Sequence, residues 1–170
     1  LLSIFAGETP IEWQGQTWAY KGNTPSLTDN SATLSQSCTG CSETTYLRND
    51  FDLSTYDEIR LIITASTTAS ITGNSASGSA NAGVSLGDAT SVATVSSYAE
   101  ERGGTYIPSD ADSISTTAVL KRNGDAWEIY VNEIKTATVN DKDPEIKIRA
   151  QSGGNYGGGT ANIKVLAALK

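Results

Sequence analysis

The chain has 170 residues, 38% hydrophobic and 18% charged, a length and apolar content that fit one domain with a single sizeable core. With 19 acidic and 12 basic side chains the net charge is -7, which disfavours a sequence-independent grip on phosphate backbones and so nucleic acid as a partner. Histidine is absent, which removes Ser-His-Asp and Cys-His catalysis, histidine zinc sites and HExxH chemistry together.

Residues 1–10 read as an N-terminal arm or first strand, and residues 11–170 as a single β-sandwich domain. The opening Leu1-Leu2-Ser3-Ile4-Phe5-Ala6 is apolar but far shorter than the ~20 residues that span a bilayer, so no membrane insertion is expected. It fits the end of a removed leader, an arm that adds a strand to a neighbouring subunit, or a first strand of the chain's own sheet. Next comes a hairpin around Gln14-Gly15, with Ile11, Trp13, Trp18 and Tyr20 on its arms. Cys38-Thr39-Gly40-Cys41 lacks the helical flank of a redox CxxC and the further ligands of a zinc site, which leaves a local Cys38 to Cys41 disulfide and an oxidising, extracellular habitat.

Alternation then dominates. Ile59, Leu61 and Ile63 line one face of a strand, and Ile62 on the other face marks it as central in its sheet. Thr64 to Ala80 is built almost wholly of Ser, Thr, Ala, Gly and Asn and reads as exposed loop and solvent-facing strand. Asn123-Gly124 predicts a tight type I′ hairpin between Ala118-Val119-Leu120 and Trp127-Glu128-Ile129-Tyr130-Val131. Ile146, Ile148 and Ala150 share a buried face, Gln151 to Thr160 is a glycine-rich loop region, and Ala161, Ile163, Val165 and Ala167 form the inner face of the last strand. No helical periodicity runs for three turns, and 20 Ser with 21 Thr reinforce the β bias. The fold class is therefore all-β: about ten to thirteen short strands in a two-sheet antiparallel β-sandwich of the jelly-roll type.

Two stretches carry a family resemblance. Tyr46-Leu47-Arg48-Asn49-Asp50-Phe51-Asp52-Leu53-Ser54-Thr55-Tyr56-Asp57-Glu58-Ile59-Arg60-Leu61 resembles the "fDLS-x-Y-D-x-I-x-L" stretch of carbohydrate-binding and galactose-binding-like sandwiches. Trp127-Glu128-Ile129-Tyr130-Val131-Asn132 is similar to the W-x-x-Y-V-N strand of concanavalin-like and laminin-G-like lectin domains, modules that also recur in phage tail fibres. The resemblance implies a jelly-roll sandwich and an extracellular setting, and transfers no ligand residues.

For a ligand, sugar rings stack on flat aromatic faces flanked by hydrogen-bonding side chains. Tyr98, Tyr106 and Tyr156 lie in polar or glycine-rich surroundings and are the first candidate platforms, with Trp18 and Tyr20 second, while Trp127 alternates with core residues. Asp110 and Asp112, and Asp141 and Asp143, form loop clusters of hard oxygen ligands that suit Ca2+, although no cofactor is required. Lectin-like sandwiches include glycosidases, but the E-x-D-x-x-E acid pattern is missing, Glu100 and Glu101 are adjacent, and Asp50 and Asp52 flank a turn. The chain is therefore expected to be no enzyme but a structural and attachment module on a virion or extracellular surface, self-associating as a homo-oligomer or polymer through edge strands and touching glycans with its loops. A monomeric carbohydrate-binding module of a secreted enzyme is the second expectation, and a glycoside hydrolase or lyase the third.

Overall fold

The computed structural model describes residues 4–170. Leu1 to Ser3, on which part of the arm expectation falls, lie outside the described residues. Among these there are fourteen strands and one 3-10 turn: β1 (Thr9–Trp13), β2 (Gln16–Lys21), β3 (Ser26–Leu27), β4 (Ser31–Thr39), β5 (Ser42–Asn49), the turn Leu53–Thr55, β6 (Glu58–Ile71), β7 (Ala76–Leu86), β8 (Thr90–Arg102), β9 (Thr105–Ile107), β10 (Asp110–Asn123), β11 (Ala126–Val131), β12 (Ile134–Val139), β13 (Ile146–Asn155) and β14 (Gly157–Leu169). They form two seven-stranded antiparallel sheets, ordered β1-β2-β5-β13-β7-β8-β9 and β12-β11-β10-β6-β14-β4-β3. The sandwich follows from the alternation: each long strand has one apolar face to bury, and two such faces bury each other. β6 is a central strand, as Ile62 on its second face foretold, and the stretch 64–80, read as exposed loop and solvent-facing strand, belongs mostly to two long strands joined by residues 72–75.

Turn chemistry sets the register. Gln14 and Gly15 both take positive φ, at 54° and 71°, and close β1 onto β2 as a two-residue hairpin of type I′. The hairpin between β10 and β11 differs by one residue from its sequence reading. Asn123 pairs with Ala126, so the turn residues are Gly124 and Asp125, with positive φ at Gly124. That is the pattern of a type II′ turn, in which the glycine takes the first central position.

The core tapers from one end to the other. Along β6 the inward residues run Ile59, Leu61, Ile63, Ala65, Thr67 and Ala69, and along β7 in the reverse sense Leu86, Val84, Ala82, Ala80 and Gly78. β13 and β14 shrink similarly, from Ile146 to Ser152 and from Val165 to Ala161. At the wide end Trp13, Trp18, Leu53 and Trp127 fill the space. At the narrow end the sheets meet almost backbone to backbone, since a Cβ on Gly78 would stand 2.4 Å from the Ser70 carbonyl and 2.5 Å from that of Gly158. Two polar groups trapped there pair across the sheets: the Thr67 and Ser97 hydroxyls lie 2.7 Å apart.

The sheet edges are blunted. β1 carries Pro10, β3 has two residues and β9 three, and β12 is kinked by a bulge opposite Ile129 and Tyr130 and carries Lys135. These are the devices that discourage edge-to-edge pairing. Residues 4–8 fold back toward their own first sheet, where the Phe5 ring lies 4.3 Å from the Arg48 guanidinium carbon and Glu8 joins Arg48 and Tyr46.

Candidate functional site

The outer face of the second sheet holds a concavity, a groove of about 730 Å³. Its floor is apolar: Ile62 from β6, Val119 from β10, and Leu166 and Ala168 from β14. All four occupy outward positions that strand alternation would give to polar residues, and Ile62 stays 48% exposed. The walls are polar. On one side stand Asn132 and Glu133, whose φ angles of 49° and 72° make the tight turn between β11 and β12, and on the other Asn30. Asn132 is pinned to β10, donating its N–H to the Thr117 carbonyl at 2.8 Å while its side-chain oxygen accepts from the Thr117 N–H at 3.3 Å.

The register places Ile62 between Thr117 and Leu166, and Arg60 between Val119 and Ala168, so the groove runs along β6 and β14. Arg60 donates to Glu58 at 2.8 Å. Beyond Val119 lies Tyr130, its ring 5.2 Å from the Lys121 ammonium and its hydroxyl donating to Glu128 at 2.7 Å. That bond and one from Asn123 hold the Glu128 carboxyl down at about 2. An apolar floor with a few fixed polar groups around it is the usual make-up of a small-molecule or sugar site.

The tyrosines singled out in the sequence do not line this groove. Tyr98, Tyr106 and Tyr156 are indeed exposed, the last two at 64% and 65%. Tyr106 pairs with Glu101, which puts it on the opposite face of the first sheet from Tyr98, and Tyr156 turns the corner between β13 and β14 with φ at 50°. Trp18, expected as a second-rank platform, lies in the core at 1% exposure, and its indole N–H donates to the Trp13 carbonyl. Its bulk is needed at the wide end of the taper, which leaves it no face for a ligand. Tyr20 is half-buried against the core, with its hydroxyl 3.3 Å from Thr24.

Each of the aspartates expected as calcium ligands accepts a hydrogen bond from a backbone N–H group. Asp110 accepts from Tyr98 and Asp112 from Ser113, while Asp141 accepts from Asp143 and Asp143 from Leu53. Burial pushes the Asp143 carboxyl up, and nearby Asp52 and Asp141 add to the shift. Among the described residues no group of three or more His, Cys, Asp or Glu side chains is placed to hold a metal ion. Cys38 and Cys41 form the expected disulfide.

What the sequence reading missed was the floor of the groove. Its signal was present as breaks in alternation, Ile62 within Arg60 to Ser66 and Leu166 after Asn162 and Lys164.

No family model and no curated protein matches the chain. Solved structures of similar fold include the catalytic domain of an endo-1,3-beta-glucanase (laminarinase) from Thermotoga petrophila, 9% identical over 89% of this chain and 82% of that one, with a TM-score of 0.41. The PL7 alginate lyase AlyA1 from Zobellia galactanivorans is 12% identical over 99% and 98%, with a TM-score of 0.42. A legume lectin-like domain from Entamoeba histolytica is 12% identical over 89% of each chain, with a TM-score of 0.36. These likenesses are of fold, the lectin-like jelly-roll sandwich. They also correct the expectation that the chain is no enzyme: catalytic domains stand beside lectin domains among its neighbours, so the fold does not separate the two, and a missing acid motif does not establish a non-enzyme.

Proposed function

We propose that the protein is an extracellular carbohydrate-binding sandwich whose contact surface is the groove on the outer face of the second sheet. The observation that carries this is the apolar floor of exposed Ile62 and half-buried Val119 and Leu166 between the polar walls of Asn30, Asn132 and Glu133. Such a floor receives the C–H face of a sugar ring while the walls bind its hydroxyls. An exterior setting, as an attachment module of a cell or virion surface, is supported by the Cys38–Cys41 disulfide, because such bonds persist in oxidising compartments. The groove, rather than the blunted sheet edges, carries attachment in this reading.

The test is a glycan array read with the wild type and with Ile62→Asp, accompanied by a product-release assay on every polymer that binds. Ile62 is exposed, so the variant is expected to fold, which circular dichroism checks. Retention by the wild type that Ile62→Asp abolishes supports the groove, and product release would make it a catalytic one. Retention that survives Ile62→Asp unchanged overturns the reading.

A further inference from the structure

The charges on this face are distributed unlike those of the chain as a whole. The protein carries 19 acidic residues, yet the register rows below the groove floor contain none. They read Ser115, Thr64, Lys164, Thr33, then Ser113, Ser66, Asn162, Ser35, then Ala111, Thr68, Thr160, Ser37 across β10, β6, β14 and β4. Lys164 is the single charged side chain in these rows, and among the described residues it has no ion-pair partner. It sits two residues from Leu166 along β14, while Arg60 sits two residues from Ile62 in the opposite direction along β6. The apolar floor is therefore flanked by an ammonium on one side and a guanidinium on the other, with about 13 Å of strand between their rows. The opposing charges are Glu58, which pairs with Arg60, Glu128 in the same row as Glu58, which pairs with Lys135, and Glu133 on the wall turn, the one carboxylate of the lining.

Resting on the groove reading above, we infer that the ligand is an acidic polysaccharide, whose carboxylate or sulfate groups meet Lys164 and Arg60 while its sugar rings lie over Ile62 and Leu166. Local geometry has to do this, because the net charge of -7 repels a polyanion from the rest of the surface. A hydroxyl-lined face adds hydrogen-bond donors and acceptors without adding repulsion.

The experiment is isothermal titration of the full chain with polygalacturonate and dextran sulfate, against their neutral counterparts, methyl-esterified polygalacturonate and dextran. An acidic polymer is expected to bind at least tenfold more tightly than its neutral counterpart at low salt, and to weaken as salt is added. Lys164→Ala is expected to lose at least fivefold and Lys164→Arg to retain binding. Preference for one acidic polymer over the other assigns the recognised group as carboxylate or sulfate. Equal affinity for acidic and neutral polymers, unchanged in Lys164→Ala but abolished in Ile62→Asp, overturns this inference and leaves the groove reading standing. Binding that Ile62→Asp does not alter removes both.

Discussion

Glu8 and Arg48 clasp each other in a two-pronged ion pair, with Oε1 2.7 Å from Nη2 and Oε2 2.8 Å from Nε, and with their side chains at 0% and 5% exposure. Tyr46 donates a third bond, from its hydroxyl to Oε2 at 2.7 Å. Glu8→Ala removes the closest partner of the buried Arg48 guanidinium, to which Asp50 at 3.4 Å and Glu145 at 4.0 Å remain, and is expected to cost about 3 kcal/mol, the lower end for breaking such a pair. Urea unfolding at neutral pH checks this as a lower midpoint at an unchanged m-value. A midpoint equal to that of the wild type would mean that the clasp contributes nothing to the fold.

The same pair sets an acid dependence. Hydrogen bonds from Arg48 lead in holding the Glu8 carboxyl at about 2, below its ordinary 4.5. Because the folded value is depressed, the stabilisation is fully present above pH 4.5 and is lost as the pH falls toward 2. Glu128 titrates in the same range and remains in the variant, so the acid limb of Glu8→Ala should be flatter rather than flat. Thermal midpoints between pH 5 and 2 decide it, and parallel curves for the two proteins would refute the assignment.

Cys38 and Cys41 tie the end of β4 to the start of β5 through a very short ring. Chain entropy gives such a ring about 2 kcal/mol, so Cys38→Ala with Cys41→Ala should lower stability by about that amount without unfolding the protein at room temperature. Loss of more than twice this would show that the bridge also fixes the β13 to β14 corner beside it.

The taper makes two glycines unequal. Gly78→Ala pushes a Cβ to 2.4 Å from a backbone carbonyl of the facing sheet and is expected to cost 3 kcal/mol or more, about the upper end for overpacking. Gly73→Ala finds its nearest neighbour, the Tyr156 Cβ, at an ordinary 3.5 Å and should fall within about 0.5 kcal/mol of the wild type. Similar melting temperatures for the two variants would deny the close approach of the sheets.

Tyr106→Ala and Tyr156→Ala separate the groove from the loop platforms expected in the sequence. Both side chains are exposed and neither lines the groove, so neither substitution should change glycan retention that depends on Ile62. Retention lost in either variant would return the binding surface to the loops.

Much of the sandwich was legible because burial imposes a period of two on a strand that faces water on one side. Ile146, Ile148 and Ala150, and Ala161, Ile163 and Val165, all lie where alternation put them. The turn at Gly124 was legible in place but one residue out in register, since both Asn-Gly and Gly-Asp satisfy a tight turn and only the cross-strand pairing of Asn123 with Ala126 selects between them. The sequence left loop and strand undivided over 64–80 for a related reason: Ser, Thr, Ala and Gly make polar loops in isolation, and become strands when a facing sheet lies close enough to want small residues.

The sequence by itself determined the class of the fold, the inward faces of β13, β14 and the first half of β6, and the disulfide, because each depends on neighbours two or three positions apart. Only the tertiary structure decided that Trp18 is core while Ile62 is surface, that Tyr98, Tyr106 and Tyr156 lie outside the groove, and that Arg60, Ile62, Val119, Lys164 and Leu166 share one face. Those relationships join strands far apart in the chain, and their register is fixed by pairing energy summed over whole sheets, which no local pattern records.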